Sequence, residues 1–370
     1  METAPPPRRL LIRGTNWLGD AVMTTPAILR LRAQFPEARI TLACPEKLRD
    51  LWLRHPALDE VLPFQPGEGL FHLAARLRPA RFDLALVLPN SPRSALEVFL
   101  ARIPRRVGYA RPWRNFFLTQ AVAPRPGAVK MHKRSVPEIQ SLVSAPAPPA
   151  APAAAFPASA HQIHEYLHLA AALGANAEPL APQLFVTDDE TAAVRKKFGL
   201  ESATGPLLGL NPGAEYGPAK RWPADRFIAA AKQIQAQTHC VWLLFGGKND
   251  APLAARIQSA LGGGPAIVNL AGRTSLRELM ALLKLCRVLL TNDTGPMHVA
   301  AALGTPVVVP FGSTSPELTG PGLPGDPRHR LLQSDAPCAP CFLRECPIDF
   351  RCMHGIAVAR VAASVLSAQS

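Results

Sequence analysis

The sequence lacks several signatures that would fix its chemistry directly. It has no G-x-G-x-x-G, which disfavours a nicotinamide enzyme. It has no D-x-D, the carboxylate pair that usually presents a metal-bound nucleotide sugar. No run of 18 or more apolar residues occurs, so no helix is expected to span a membrane. The apolar stretch Leu10-Leu11-Ile12 near the N-terminus is too short for a secretory signal, and a cytosolic protein is expected. Cysteine is sparse and odd in number, at 7, which fits a reducing compartment. Acidic side chains are outnumbered, 27 Asp+Glu against 40 Lys+Arg, a net charge of +13. Such a balance points to an acidic partner: nucleic acid, an anionic membrane face or a phosphorylated substrate.

Within these 370 residues, short apolar runs alternate with amphipathic stretches. "RRLLIRG" leads into "DAVMTTPAILRLRAQFP", "ARITLACP" into "EKLRDLWLRHP", and "RFDLALVLPN" into "SPRSALEVFLARI". Strand–helix alternation of this kind predicts a doubly wound parallel sheet. The pattern breaks at residues 145–160, where 14 of 16 are Ala or Pro. Proline at that density opposes helix and sheet hydrogen bonding, so a mobile loop is expected over 140–160. A second alternating series begins near residue 205, with "GPLLGLNPG", "HCVWLLFGG", "RVLLTND" and "TPVVVPFG" as strands. The expected fold is α/β, with two Rossmann-like domains whose parallel sheets face each other across a cleft. The expected boundaries are 1–185 and 186–350, with a C-terminal helix in 351–370 packing back on the first domain. Ligands of open α/β sheets sit beyond the carboxyl ends of the strands.

The turns at those strand ends carry the chemistry. "RGTNWLGDAV" reads G-x-x-x-x-G from Gly14 to Gly19, yet continues with Asp20 where a phosphate loop needs a cation. "LNPGAEYGPAKRWP" offers Asn211, Gly213 and Ala214 at a strand end, then Lys220. "TNDTGPMHV" places Asp293 and Thr294 before a helix opened by Gly295-Pro296. Helix openings present unpaired N–H groups and a positive dipole end. An ammonium group and such an opening together suit a diphosphate. "LLFGGKNDAP" adds Gly246 for close approach and Asp250 as a ribose-hydroxyl ligand.

Four segments, "LGDAVMTTPA", "NPGAEYGPAKRWP", "NLAGRTSL" and "TNDTGPMHVAAALGTPVVVPFGSTSPE", resemble glycosyltransferase family 9, in order and at matching spacing. The tail "CFLRECPIDFRCMHGI" resembles the ADP-heptose:lipopolysaccharide heptosyltransferases of that family. The resemblance implies a GT-B fold and inverting transfer of L-glycero-D-manno-heptose from ADP-heptose. The acceptor it implies is the heptose already on the Kdo–lipid A inner core. It makes Asp20 the general base, since a sugar hydroxyl is a poor nucleophile until deprotonated. The competing role for Asp20 is a helix cap. Lys220 is then catalytic through neutralising the departing ADP. Donor contacts are expected from Asn211, Gly213, Ala214, Lys220, Gly246, Asp250, Asp293, Thr294, Gly295 and His298. Acceptor contacts are expected from Asn16, Trp17, Gly19, Arg111 and Lys133. No cofactor or metal is required by this reading, and a monomer is expected. The basic segment around "RRVGYARPWRNFF" and "KMHKRSVP" would meet lipid A at the cytoplasmic face of the inner membrane, with no nucleic-acid role.

Two other patterns support competing readings. His164-Glu165-Tyr166-Leu167-His168 matches H-E-x-x-H, the zinc-hydrolase pattern, but without a defined third ligand. Cys338, Cys341, Cys346 and Cys352 lie close enough in sequence for a structural metal, although the spacing fits neither common zinc pattern. Basic residues interleaved with Tyr109, Trp113, Phe116 and Phe117 would also suit a single-stranded nucleic-acid module. Within the family, a first heptosyltransferase or another sugar transferase is the alternative.

Overall fold

A computed structural model describes residues 5–144 and 156–369. Two compact units are formed, one from residues up to 128 with 162–185, the other from 129–161 with 186 onward. Each contains a six-stranded, wholly parallel sheet.

In the first unit the strands are β1 (Arg9–Arg13), β2 (Arg39–Pro45), β3 (Glu60–Phe64), β4 (Leu84–Val87), β5 (Arg105–Tyr109) and β6 (Gln120–Val122), ordered β3-β2-β1-β4-β5-β6. In the second they are β7 (Leu207–Asn211), β8 (Val241–Leu244), β9 (Ile267–Asn269), β10 (Val288–Thr291), β11 (Val307–Pro310) and β12 (Arg330–Leu332), ordered β12-β11-β10-β7-β8-β9. Both are the same 3-2-1-4-5-6 arrangement, the dinucleotide-fold order, in which the chain reverses direction between the first and fourth strands. The central strands form because continuous apolar runs can be buried on both faces. Leu10, Leu11, Ile12, Leu84, Leu86, Leu208, Leu210, Val288, Leu290 and Val308 are all 0% exposed.

The readings of the apolar runs as strands hold, with some differences of detail. "DAVMTTPAILRLRAQ" is two helices, Leu18–Met23 and Thr25–Gln34, because Pro26 opens a new first turn instead of continuing the old one. "EKLRDLW" is a 3₁₀ segment, Glu46–Trp52. Residues 140–144 complete the helix Val136–Ser144, and Ala158–Ala160 is a 3₁₀ turn, so both flanks of the expected mobile loop have regular structure. Its centre, 145–155, lies outside the described residues.

The unit boundaries also differ from an uninterrupted 1–185. Residues 129–161 group with the second unit because Ile139 packs with Cys338 and Cys341, and Ala160 with Leu318 and Phe342. The closing helix Val358–Ser367 buries Val361, Ala362 and Val365 in the second unit's own core, against the helix Ala224–Thr238. That helix has one apolar stripe, and it is used there instead of on the first unit.

Candidate functional site

In the first unit the loop after β1 leaves the sheet at its switch point, between β2 and β4. Gly14 keeps the loop close to β2: a Cβ would lie a tight 3.2 Å from both Ala43 O and Leu42 Cδ1. Arg13 ends β1 with its guanidinium buried, bonded to Glu97 at 2.7 Å and seated 4.4 Å from the Phe64 ring centre. It donates to Gly14 O and, at 3.2 Å, to Asn16 Oδ1, so a buried ion pair fixes the course of the loop.

The helix Leu18–Met23 follows, with Trp17 as N-cap and no side-chain cap bond. Asp20 lies in the first turn, where the helix dipole favours a carboxylate, but it does not cap this helix. Its Oδ1 accepts a hydrogen bond from Gln162 Nε2 at 3.3 Å, and the same amide donates to the Tyr166 hydroxyl at 2.9 Å. Tyr166 is 6% exposed. Burial, and then the Asp20 charge, push its hydroxyl far above the usual phenol range. A neutral phenol and a neutral amide therefore back the carboxylate. Asn16 and Trp17 are exposed and Gly19 half-buried, while Arg111 rests 5.6 Å from the Tyr109 ring. Lys133 is exposed as well, but unlike the other expected acceptor residues it belongs to the second unit's 129–161 segment.

In the second unit the turns after β7 and β10 meet side by side, because these strands are neighbours across the switch point. Asn211 donates to Thr291 Oγ1 at 3.0 Å. Asn292, fully buried, donates to Pro212 O at 2.7 Å and accepts from Trp222 N at 2.9 Å. One amide thus joins both turns to the segment that follows Lys220. Lys220 Nζ donates to Asp293 Oδ2 at 2.6 Å, and Thr314 Oγ1 donates to the same oxygen at 2.6 Å. Asp293 is 4% exposed, so the acid end of this pair is removed from bulk water while the Lys220 end keeps some contact with it. The ammonium also sits 5.0 Å from the Tyr216 ring, which Arg344 approaches at 5.1 Å. Arg344 Nε donates to Tyr216 O at 2.8 Å, and a Cβ on Gly217 would come within 2.4 Å of Arg344 O. The cysteine-containing tail therefore clamps the Lys220 loop.

Thr294 is the N-cap of Gly295–Ala302 and uses no side-chain cap bond. His298, in that helix, is 6% exposed. Burial pushes its pKa down to about 4, with Asp293 opposing and His161 and Lys220 reinforcing the shift, so the imidazole is neutral at pH 7. Asp250 accepts from Gly247 N at 2.9 Å. Its carboxylate lies only 2.6 Å from where a Gly213 Cβ would stand, and its Cβ 2.7 Å from that of Gly246. Both glycines are needed to let the β7 and β8 turns close on this acid. Ala214 is buried, and its carbonyl accepts from Arg221 at 3.2 Å. Every residue expected to bind a donor thus lies in one unit, along the carboxyl ends of β7, β8 and β10. Thr314, Asn292, Tyr216 and Gln162 were not singled out in the sequence; the first three lie inside the quoted motifs, whereas Gln162 has no local signal.

The competing patterns have other partners. Glu165 pairs with Arg125 at 3.3 Å, its backbone carbonyl accepts from the Tyr109 hydroxyl at 2.8 Å, and His168 stacks on the Tyr109 ring at 5.9 Å. Among the described residues no group of three or more His, Cys, Asp or Glu is arranged to hold a metal ion. Cys338 and Cys341 are buried beside Ile139, and burial raises both thiols above their ordinary range. Cys352 is pushed up to about 12, also chiefly by burial. Cys44, Cys240 and Cys286 are core residues, as expected.

Two Rossmann-type units of this strand order, with an anion-adapted turn pair in the second, have the architecture of the GT-B glycosyltransferases. Residues 151–350 match the family described as glycosyltransferase family 9 (heptosyltransferase). The chain belongs to that family. It is 34% identical over 323 residues to lipopolysaccharide heptosyltransferase 2 of Salmonella typhimurium (strain LT2), covering 85% of each chain. Identity to lipopolysaccharide heptosyltransferase 1 of Pseudomonas aeruginosa is 25% over 362 residues, covering 91% of this chain and 87% of the relative. The similarity therefore favours the second heptosyltransferases over the first. The solved structure of E. coli ADP-heptose lps heptosyltransferase II superposes with a TM-score of 0.77, at 29% identity, covering 98% of each chain. Among the described residues no helix is long and apolar enough to cross a membrane.

Proposed function

We propose that the chain transfers L-glycero-D-manno-heptose from ADP-heptose to the first heptose of the Kdo–lipid A inner core, with inversion. The units divide the chemistry. Asp20 takes the proton from the acceptor hydroxyl as its oxygen bonds to the anomeric carbon. The bond from that carbon to the diphosphate oxygen breaks in the same displacement, and ADP leaves. Lys220 and the N–H groups at the Gly295–Ala302 opening meet the charge developing on the diphosphate. Asp250 takes the ribose hydroxyls. His298, buried in the helix that opens there and held neutral, adds no cation of its own and is left to reach the donor as an uncharged group. Arg111 and the neighbouring basic residues approach the anionic acceptor at the cytoplasmic face of the inner membrane.

The observation that carries this reading is the Lys220–Asp293–Thr314 cluster at the switch point of the second sheet. It holds an ammonium beside a helix opening, where general chemistry favours an anion. The test is transfer from ADP-heptose to two acceptors, one carrying a single heptose on Kdo–lipid A and one carrying none. Wild type should use only the first, and Asp20→Asn should lose roughly 10²–10⁴-fold in rate while remaining folded. Equal use of the heptose-free acceptor would reassign the chain to the first transfer step, and an active Asp20→Asn would remove the base.

A further inference from the structure

The first unit carries a surface that heptosyl transfer alone does not require. From residue 98 to residue 128 the chain contains no Asp or Glu and six arginines. From the middle of this stretch, beyond the carboxyl end of β5, Trp113 projects at 87% exposure and Phe116 at 84%. Trp113 has φ +63°, a left-handed conformation that a bulky residue rarely adopts. The ring faces solvent, so the strained backbone at Trp113 is not offset by any packing of its own side chain. Strain at a residue whose side chain gains nothing inside the unit is a pointer to function.

The tip is nevertheless built firmly. Arg114, 0% exposed, drives its guanidinium under the loop and donates to Pro89 O at 2.8 Å and Asn90 Oδ1 at 3.3 Å. Asn115 Oδ1 accepts from Arg111 N at 2.9 Å and closes the turn. Phe116 leans on Phe117 with ring centres 5.9 Å apart, and Phe117 on Phe99 at 5.5 Å. Arg106 sits 5.4 Å from the Phe99 ring. Two exposed rings therefore stand on a fixed base surrounded by charge of one sign.

Exposed aromatic side chains on a soluble protein mark a contact surface. Rings set among cations fit the boundary between headgroups and acyl chains of an anionic bilayer, where Trp is favoured and basic residues meet lipid phosphates. We propose that Trp113 and Phe116 insert into this boundary layer and dock the first unit on an anionic phospholipid membrane. This deepens the reading of a lipid-linked acceptor, on which it rests: the two rings meet the membrane, while Arg111 on the same loop is left to face the acceptor.

The test is flotation of the full chain with vesicles of phosphatidylcholine, with and without phosphatidylglycerol. Wild type should float with the anionic vesicles and not the neutral ones. Trp113→Asn combined with Phe116→Ser should lower the bound fraction roughly tenfold or more, since both inserted rings are gone. Asn is chosen because it tolerates the left-handed backbone. The double variant should keep wild-type turnover on a water-soluble, deacylated acceptor, which also reports correct folding. Absence of flotation in wild type, or undiminished flotation of the double variant, overturns the proposal. So does capture by single-stranded RNA through the same two rings without vesicle binding. Failure of transfer to the soluble acceptor by wild type would instead defeat the heptosyl reading and leave the flotation result standing.

Discussion

Replacing Lys220 with Met separates what the ammonium does for the fold from what it does for the reaction. Lys220 Nζ and Thr314 Oγ1 both donate to Asp293 Oδ2 at 2.6 Å, and the Lys and Asp side chains are 14% and 4% exposed. Removing one partner of a buried ion pair typically costs ~3–5 kcal/mol, because the other charge stays buried. The Thr314 bond persists in the variant and the Lys end is partly wet, so about 2–4 kcal/mol is expected here. For a unit of about two hundred residues, that corresponds to a fall in Tm of roughly 5–12 °C. Adding Asp293→Asn removes the stranded charge while Asn still accepts from Thr314, and about half of the lost stability should return. Activity should not return, because the cation facing the diphosphate is still missing. Thermal unfolding by circular dichroism and a transfer assay on the same three proteins measure both effects. The reasoning fails if Lys220→Met is as stable as wild type, or if the double variant is no more stable than the single one.

Other outcomes follow from the same geometry. Gln162→Leu removes the donor at 3.3 Å from Asp20 Oδ1, and should lower kcat about tenfold at unchanged KM for ADP-heptose. In an Asp20→Asn background the same change should have no further effect. His55, His298 and His329 each have their pKa lowered from 6.5 to about 4, mainly by burial. The unfolded chain therefore takes up protons first on acidification, so stability should be flat above about pH 7 and fall between 6.5 and 4. At pH 5 each histidine should account for about 2 kcal/mol of that loss, readable as urea midpoints at pH 5 and 7.5 with and without His55→Gln. Of the seven cysteines only Cys346 is partly exposed. One thiol should thus react rapidly with a disulfide reagent in the native protein, and Cys346→Ser should abolish that fast phase.

The strands that could be read from the sequence are those buried on both faces. Runs such as Leu84–Val87 and Val307–Pro310 admit little else between two turn signals. β3, β5, β6, β9 and β12 were not legible, for physical reasons. β3 carries Pro63 and is half-exposed, β5 opens with two arginines, and β6, β9 and β12 are only three residues long. The candidate site followed the same division. Asp20, Lys220 and Asp293 were visible as candidates because each sits in a turn whose glycines and prolines announce a strand end. Their partners were not: Thr314 reaches Asp293 from 21 residues away, and Gln162 reaches Asp20 from 142. Only the strand order brings such residues together. The H-E-x-x-H stretch, a competing pattern in the sequence, is engaged elsewhere for a related reason: its Glu165 pairs with Arg125, 40 residues earlier.

Calorimetric titration of ADP into wild type, Asp20→Asn and Lys220→Met tests the assignment of roles most directly. Nucleotide affinity should be unchanged in Asp20→Asn and at least about tenfold weaker in Lys220→Met, the loss of one charge-assisted contact. Weakened binding in Asp20→Asn with full affinity in Lys220→Met would place the nucleotide on the other unit and contradict the account.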